Sequence, residues 1–311
     1  MRLSMTLMGG VCAAALLAGC ATTTLTPAGN LAEQRAAGAY TPSSAESFKA
    51  AKVERTLRGK PLSLNGYHVT YNDDFNKMSV TDEDGSGPWY APVHDSFGAA
   101  TFIAPRPNQG PVYTKDGKLV IEMSKEENGW VSTNVQSVNG DGHGFAQQYG
   151  YFEMRAQLAP QPGGWGGIWL HSHPALTGPD MPQAELDIIE AYGGETAGYH
   201  AALHLWPAAN PLKGDITKEI SQPAYNKVPG MFDGYHTFGA LVTPKTIIYY
   251  YDRKELARVP TPPEFKTPLY VLMDMTVLPK LYGYAKGKIA MNVDYVRVWQ
   301  KNDMYATPDK N

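Results

Sequence analysis

The sequence predicts an all-β protein built as a sandwich of two packed sheets, on two observations. From residue 67 onward, short runs of alternating apolar and polar residues are separated by Gly, Pro, Asn and Asp, with no sustained helical period. The chain of 311 residues is 43% hydrophobic, which is ample for a packed core. Candidate strands of usual length are KLVIEMS, GYFEMRAQL, GIWLHS, ELDIIEAY, YHAALHLW, TIIYYYD, LYVLMDMTV and MNVDYVRVWQ. This many strands in one domain indicates two sheets.

The N-terminus has the pattern of an export signal that ends in a lipidation site. Arg2 precedes an apolar stretch from Met5 to Ala18 that is too short to span a bilayer, and LAGC then ends at Cys20. LAGC resembles a bacterial lipobox, in which the cysteine thiol carries the lipid. A plain signal peptide with a chance cysteine is the alternative. We therefore predict a signal peptide over 1–19, a lipid on Cys20 and no disulfide in the mature chain, because the second cysteine, Cys12, lies inside the apolar stretch.

Three further segments complete the predicted organisation. Residues 20–65 are rich in Ala, Thr, Ser and Pro, with one weak helical window opened by Ser44, and are predicted to be a tether. The globular domain is expected over 66–303, and a C-terminal tail over 304–311. The formal net charge of -3 and the absence of Lys and Arg runs argue against a nucleic-acid partner.

Two candidate strands divide into an apolar face and a polar face. In GYFEMRAQL the alternation places Glu153 and Arg155 on the polar side, and in YHAALHLW it places His204 and Trp206 there. Surface strands alternate in this way for solubility alone, but tryptophan and histidine on the solvent face favour binding.

The stretch AELDIIEAYGG carries three carboxylates, Glu185, Asp187 and Glu190, in an otherwise apolar strand. An ideal strand would point Glu190 into the core, where an unpaired charge costs several kcal/mol. A β-bulge at Ile188 and Ile189 would bring Glu190 back to the face of the other two acids. The glutamates are then about 13 Å apart at the backbone, a gap that long side chains on a concave sheet could largely close. Two carboxyl groups about 5 Å apart suit retaining glycoside hydrolysis.

ELDIIE resembles the E-x-D-x-x-E signature of glycoside hydrolase family 16, in the bulged version of its laminarinase-like, agarase-like and exopolysaccharide-glycanase-like members. The resemblance extends in order through YNDDFN, QQYGYFEMRAQL, GGWGGIWL, HLW, GYHTFGALVTPKTIIYYYDRKEL and VDYVRVWQ, about residues 67–300. It implies a concanavalin-like jelly roll of two curved antiparallel sheets, with the catalytic domain over 66–303.

The same resemblance implies roles for individual residues. Glu185 would be the nucleophile, Glu190 the general acid and then base, and Asp187 the assisting carboxylate. The substrate-binding residues would be Glu153, Arg155, Trp165, Trp169, His204 and Trp206, with Trp165 the better stacking platform and Trp169 equally consistent with the core. One departure leaves the sugar preference open, because many relatives have a tryptophan where this chain has GPDMPQA.

The expected function is a retaining, endo-acting glycoside hydrolase that cleaves β-linkages in a glucan, galactan or bacterial exopolysaccharide. A non-catalytic carbohydrate-binding sandwich and a transglycosylase acting on the cell's own polysaccharide are the alternatives. No metal or cofactor is expected. The segment TDEDGSG at 81–87 lacks the full calcium-loop spacing and leaves only a weak case for structural calcium. His171 and His173 lack a third zinc ligand and are interpreted as a loop that enters the cleft. We expect a monomer, lipid-anchored in a Gram-negative envelope, at the outer membrane because Ala21 rather than Asp follows Cys20.

Overall fold

The computed structural model describes residues 30–56, 59–93, 96–106 and 109–301. The predicted signal peptide, the lipidation site Cys20 and the tail 304–311 lie outside the described residues. Within those residues, no helix is long and apolar enough to cross a membrane.

The described chain is mainly β-strand. In chain order the strands are β1 (Glu54–Arg55), β2 (Tyr67–Asp73), β3 (Val80–Asp82), β4 (Trp89–Ala91), β5 (Ala100–Phe102), β6 (Val112–Lys115), β7 (Lys118–Glu126), β8 (Gly129–Ser132), β9 (Asn134–Gln136), β10 (Ala146–Gln147), β11 (Gly150–Gln157), β12 (Gly164–Ser172), β13 (Gln183–Tyr192), β14 (Gly198–Trp206), β15 (Ile220–Lys227), β16 (His236–Val242), β17 (Thr246–Tyr251), β18 (Lys254–Pro260), β19 (Leu269–Val277) and β20 (Ile289–Lys301). The helices are α1 (Leu31–Ala36), α2 (Ala45–Ala50) and α3 (Pro174–Thr177), with 3-10 turns at Pro263–Phe265 and Pro279–Tyr284. Every candidate strand from the sequence is present.

The strands form two sheets that pack face to face. Sheet A has the order β1-β18-β17-β16-β11-β20-β7-β8-β5, with β2 beside β20 and β6 beside β7. Sheet B has the order β15-β14-β13-β12-β19-β9-β4-β3, with β10 beside β19. Apolar side chains from the inner faces of both sheets share one core, among them Phe152 and Met154 of β11 and Leu203 and Leu205 of β14. The predicted all-β sandwich is confirmed.

Residues 30–56, which we call the N-terminal clasp, pack against the sandwich. Leu31 is fully buried with Tyr40 and Met181, and Phe48 enters the main core at 3% exposure. The predicted helix start is correct: the Ser44 side chain accepts a hydrogen bond from the Ser47 N–H at the start of α2. Of the tether predicted over 20–65, the described residues 30–56 are therefore packed against the domain.

Polar contacts fix the clasp to two loops and one edge strand. Arg35 forms a bidentate pair with Asp215, at 2.6 and 3.1 Å, in the loop after β14. Tyr40 donates to the buried Glu264 carboxylate at 3.0 Å. The Gln222 side chain, on the edge strand β15, donates to the carbonyls of Phe48 and Ala51. The clasp thus contacts the edge strand β15 of sheet B, which is separated by β14 from β13, the strand that carries the three acids.

Candidate active site

The three carboxylates lie on the outer face of sheet B because β13 contains a bulge. Asp187 pairs with Ala202 and Glu190 with His200, so Ile188 and Ile189 together oppose one residue of β14. On the β12 side, the register shifts at the same place. Both isoleucines are buried in the core, whereas Glu185 and Glu190 are partly exposed. The predicted bulge and its position are confirmed.

Glu185 is held by an indole from the neighbouring strand. The Trp206 Nε1–H donates to Glu185 Oε2 at 2.9 Å, and His171 Nε2 lies 3.9 Å from the same oxygen. Side chains of β14 and β12 thus flank the Oε2 atom of Glu185.

Asp187 and His204 form an ion pair at the centre of the site. His204 Nε2 lies 3.1 Å from Asp187 Oδ2, and His204 Nδ1 lies 2.7 Å from Glu219 Oε1. The His204 ring also stacks on Trp206, with the centroids 5.9 Å apart and the planes 12° from parallel. A chain of contacts therefore runs from Glu219 through His204 to Asp187.

Glu190 lies in an aromatic environment at the other side of Asp187. The Tyr192 hydroxyl donates to Glu190 Oε1 at 3.2 Å, and the Trp165 indole acts to lower the pKa of this carboxyl. The Trp165 ring packs edge-on against Tyr192, with the centroids 5.8 Å apart. Gly167 is the direct β12 neighbour of Glu190, and its lack of a side chain leaves room that the Asp274 carboxyl occupies.

Burial shifts the proton equilibria of the whole trio. It raises the pKa of Glu185 to about 8 and that of Glu190 to about 7, and the Asp187 charge adds to both shifts. Burial also raises the pKa of Asp187. Burial opposes protonation of His204, but the hydrogen bond and charge of Asp187 outweigh it and raise the pKa of His204 to about 9. Near neutral pH the site thus combines an imidazolium, paired with Asp187, with two glutamates whose pKa values lie near or above neutrality.

A cleft of about 280 Å³ crosses sheet B on the Glu185 side of the trio. Its lining residues come from β9, β12, β13, β14, β19 and one loop: Phe97, Asn134, Gln136, Trp169, His171, Gln183, Glu185, Trp206, Tyr270 and Leu272. None of these ten is Lys or Arg. Trp169, which the sequence left open between core and cleft, lies in the cleft with its Nε1–H bonded to Asp274 at 2.9 Å.

Two predicted substrate-binding residues lie elsewhere. Glu153 and Arg155 are on β11 of sheet A, on the face opposite the shared core. Glu153 is fully buried and bonded to Arg253 and Tyr295, while Arg155 pairs with Asp294. The prediction that this pair lines the cleft was wrong, because alternation shows that a residue leaves the core but not which outer face it reaches.

The sequence also missed several residues of the site. His171 and His173 were expected in one loop, but His171 ends the cleft-facing row of β12, whereas His173 caps α3 through its Nδ1. Asp274 lies within the apolar run LYVLMDMTV, and its single charge was the available signal. Tyr192 and Glu219 gave no sequence signal beyond their proximity to the matched segments.

Glu185, Asp187 and His204 form the one group of potential metal ligands found among the described residues, with ligand atoms within 4.8 Å of one another. Both nitrogens of His204 already face carboxylates, those of Asp187 and Glu219. The arrangement is that of an ion-paired histidine. Residues 81–87, the weak candidate for calcium, do not form a group of three potential metal ligands.

The chain is similar in sequence to known proteins. The chain is 28% identical over 255 residues to "Endo-1,3-1,4-beta-glycanase EglC" of Rhizobium meliloti (strain 1021), covering 74% of this chain and 51% of that protein. It is 26% identical over 229 residues to "Endo-1,3-1,4-beta-glycanase ExsH" of the same organism, covering 72% and 45%. The chain thus spans about half the length of the curated relatives it matches.

The fold has a solved counterpart in SCLam, a non-specific endo-beta-1,3(4)-glucanase from family GH16. The TM-score is 0.59 at 20% identity, over 79% of this chain and 96% of that chain. This likeness confirms the predicted jelly-roll fold. The family model "Glycosyl hydrolases family 16" matches residues 103–286, more than half of the sequence. With that match, and with the three acids of ELDIIE aligned on one face of β13, the chain belongs to glycosyl hydrolases family 16.

Proposed function

We propose that this protein is a retaining, endo-acting β-glycanase with Glu185 as nucleophile and Glu190 as acid and base. The observation that carries the proposal is the bulge in β13, which places both glutamates on the outer face of sheet B with Asp187 between them. A sandwich that only bound carbohydrate would gain nothing from burying three acids beside an imidazolium, because each buried carboxyl costs desolvation energy.

In the proposed reaction, the Glu185 carboxylate attacks the anomeric carbon while Glu190 protonates the departing glycosidic oxygen. The bond from carbon to that oxygen breaks, and a covalent glycosyl-enzyme forms. Glu190, now ionised, takes a proton from water, whose oxygen displaces the Glu185 carboxylate and regenerates both groups. Two inversions give net retention.

The resting pKa values alone do not divide these roles, because that of Glu185 lies above that of Glu190. Position supports the division. His204, the cation of the site, is the direct cross-strand neighbour of Glu185, whereas the neighbour of Glu190 is His200. The His204 cation and the Trp206 N–H both stabilise negative charge at Glu185. We therefore propose that Glu185 is ionised when the substrate reacts and that Glu190 carries the proton.

The cleft supports an internal, uncharged segment of polysaccharide as substrate. It crosses successive strands of sheet B and offers the aromatic faces of Trp169 and Trp206, on which sugar C–H surfaces can stack. Since none of the ten lining residues is Lys or Arg, a sulfate or uronate group would find no basic side chain there to pair with. The relatives named as endo-1,3-1,4-beta-glycanases make a β-glucan the first substrate to test.

The test of the reaction is proton NMR of the first products together with a viscosity time course, on wild type, Glu185→Gln and Glu190→Gln. We expect retention of the anomeric configuration, an early fall in viscosity, and loss of turnover in both variants without loss of fold. Glu127→Gln, an exposed carboxylate on the loop after β7, is the matched control and should behave as wild type. Initial release of the inverted anomer, or normal turnover by either active-site variant, would reject the mechanism.

A panel of polysaccharides tests the substrate class. Neutral β-1,3-glucan, mixed-linkage glucan and galactan are compared with sulfated galactan and a uronate-containing exopolysaccharide. We expect cleavage of a neutral polymer and little of the charged ones. Transglycosylation would appear in the same assay as products longer than the substrate oligosaccharide.

We further propose that the protein is a lipoprotein anchored through Cys20, in the outer membrane of a Gram-negative cell. The support is the order of Arg2, the apolar stretch Met5 to Ala18 and LAGC in the sequence. Stable anchoring would take more than one acyl chain. Metabolic labelling with a palmitate analogue, followed by membrane fractionation, tests this proposal directly.

A further inference from the structure

Asp274 is a buried acid on the cleft face of sheet B that the proposed reaction does not use. Its neighbours along β19, Met273 and Met275, point into the shared core, so Asp274 points to the outer face. Its residue is 1% exposed. Asp274 Oδ1 accepts the Trp169 Nε1–H at 2.9 Å, whereas Oδ2 is buried with no hydrogen-bond partner among the described residues.

A second unpaired acceptor lies directly opposite. Asn134 of β9 is the cross-strand partner of Asp274, and its side-chain Oδ1 is likewise buried and unpaired within the described part of the chain. Directly opposed residues have their Cβ atoms about 4.5–5.5 Å apart, within reach of a hydrogen bond between short side chains. Two neighbouring buried acceptors repel each other unless a proton lies between them.

The Asp274 carboxyl also reaches over β12 toward the catalytic strand. Gly167 is paired with Asp274 on one side and with Glu190 on the other. A Cβ atom at Gly167 would lie 2.5 Å from Asp274 Oδ1, so a glycine is required for the carboxyl to occupy this space. The Asp274 carboxyl therefore lies beneath the cleft surface, in contact with Trp169 and one strand away from Glu190.

We propose that Asp274 is a positioning residue that works as a neutral carboxylic acid: its Oδ2–H donates to Asn134 Oδ1, its Oδ1 accepts the Trp169 N–H, and the two bonds fix the Trp169 ring for sugar binding. The role of Trp169 in sugar binding rests on the proposed function. The proton satisfies both orphaned oxygens at once, and it keeps a further negative charge away from the catalytic acids.

The electrostatics agree with this geometry. Complete burial, outweighing the Trp169 hydrogen bond and helped by the charges of Glu190 and Asp187 on β13, raises the pKa of Asp274 to about 8. The groups that face it from β12 and β9, namely Gly167, Trp169 and Asn134, carry no charge. Within the described part of the chain, no cation in contact favours the ionised form.

The test compares Asp274→Asn with Asp274→Leu. Asparagine keeps an acceptor for Trp169 and a donor for Asn134 but cannot ionise; leucine keeps the volume and removes both bonds. At about pH 6 we expect the asparagine variant to keep kcat and KM within about two-fold of wild type, while the leucine variant raises KM by about ten-fold or more, since the Trp169 ring loses the hydrogen bond that fixes it. Met275→Leu, a core-facing change on the same strand, is the matched control.

A second readout does not depend on activity. Because the folded pKa is raised, the native state keeps a proton that the unfolded chain releases above its ordinary pKa, so wild type loses stability as pH rises toward about 8. Asp274→Asn lacks this loss. Its melting temperature should gain on that of wild type between about pH 5 and about pH 8, and the infrared band of a protonated carboxyl should weaken in the variant.

These readouts separate two failures. If wild type cleaves no glycan, the proposed function fails, but the pH-dependent stability and the infrared band still decide whether Asp274 is neutral. A folded Asp274→Asn protein with activity reduced 100-fold or more would show that an ionised carboxylate is needed and overturn the inference. An unchanged KM in Asp274→Leu, or parallel melting curves of wild type and Asp274→Asn across this pH range, would overturn it as well.

Discussion

Phe48→Ala tests whether the N-terminal clasp is part of the folded domain. The Phe48 side chain is 3% exposed and belongs to the main core, yet its residue lies in a segment whose composition resembles a linker. Truncating a buried phenylalanine to alanine removes its packing and leaves a cavity, at a cost of about 3–5 kcal/mol. The hydrogen bonds from Gln222 to the end of α2 use backbone carbonyls and survive the change, so the loss measures packing.

For a domain of this size, 1 kcal/mol lowers the melting temperature by about 2–4 °C, so we expect a fall of about 6–20 °C. Differential scanning calorimetry and urea unfolding measure it. Lys49→Ala, the exposed neighbour on α2, is the control and should change stability by less than about 0.5 kcal/mol. If both variants melted together with wild type, the clasp would not be packed in solution and the tether prediction would stand.

Four other changes separate the roles of single side chains. Trp206→Phe keeps an aromatic face but removes the N–H on Glu185, so kcat should fall by about 10- to 100-fold with a smaller effect on KM, as steady-state kinetics on the best substrate will show. His204→Asn removes the cation that lowers the pKa of Glu185, so the acidic limb of the kcat/KM profile should move to higher pH; a limb that stays in place would contradict the assigned ion pair. Glu153→Gln should cost about 1.5–3 kcal/mol in urea unfolding and leave KM unchanged, because its partners lie on sheet A. Cys20→Ala should release the protein from the membrane fraction, and undiminished retention there would reject the lipobox.

The sequence predicts the strands and the acid trio well because both depend on local rules. Alternation with period two identifies core-facing rows such as Tyr199 to Leu205, and these residues are buried. The cost of burying Glu190 requires the bulge at Ile188 and Ile189 before any partner strand is known. Such local arguments need no knowledge of strand pairing.

The errors arise where strand pairing decides the outcome. A sandwich has two outer faces, and the polar side of β11 reaches the one that lacks the cleft, which misplaced Glu153 and Arg155. Asp274 becomes informative only when β9 and β12 are known to be its neighbours. In residues 30–56, a few large side chains such as Leu31 and Phe48 dominate the packing of a segment that is otherwise small and polar, so average composition hid the contact.

If the protein is anchored at Cys20 as proposed, the packed clasp limits its distance from the membrane. Composition would assign a spacer of about 45 residues, whose fully extended length is about 150 Å, but the clasp begins at Asn30 and leaves about ten residue steps, or at most about 35 Å. With so short a connection, the catalytic domain would stay within a few nanometres of the lipid headgroups. The active site could then reach only a thin layer above the bilayer, and a glycan would be cut only where it enters that layer.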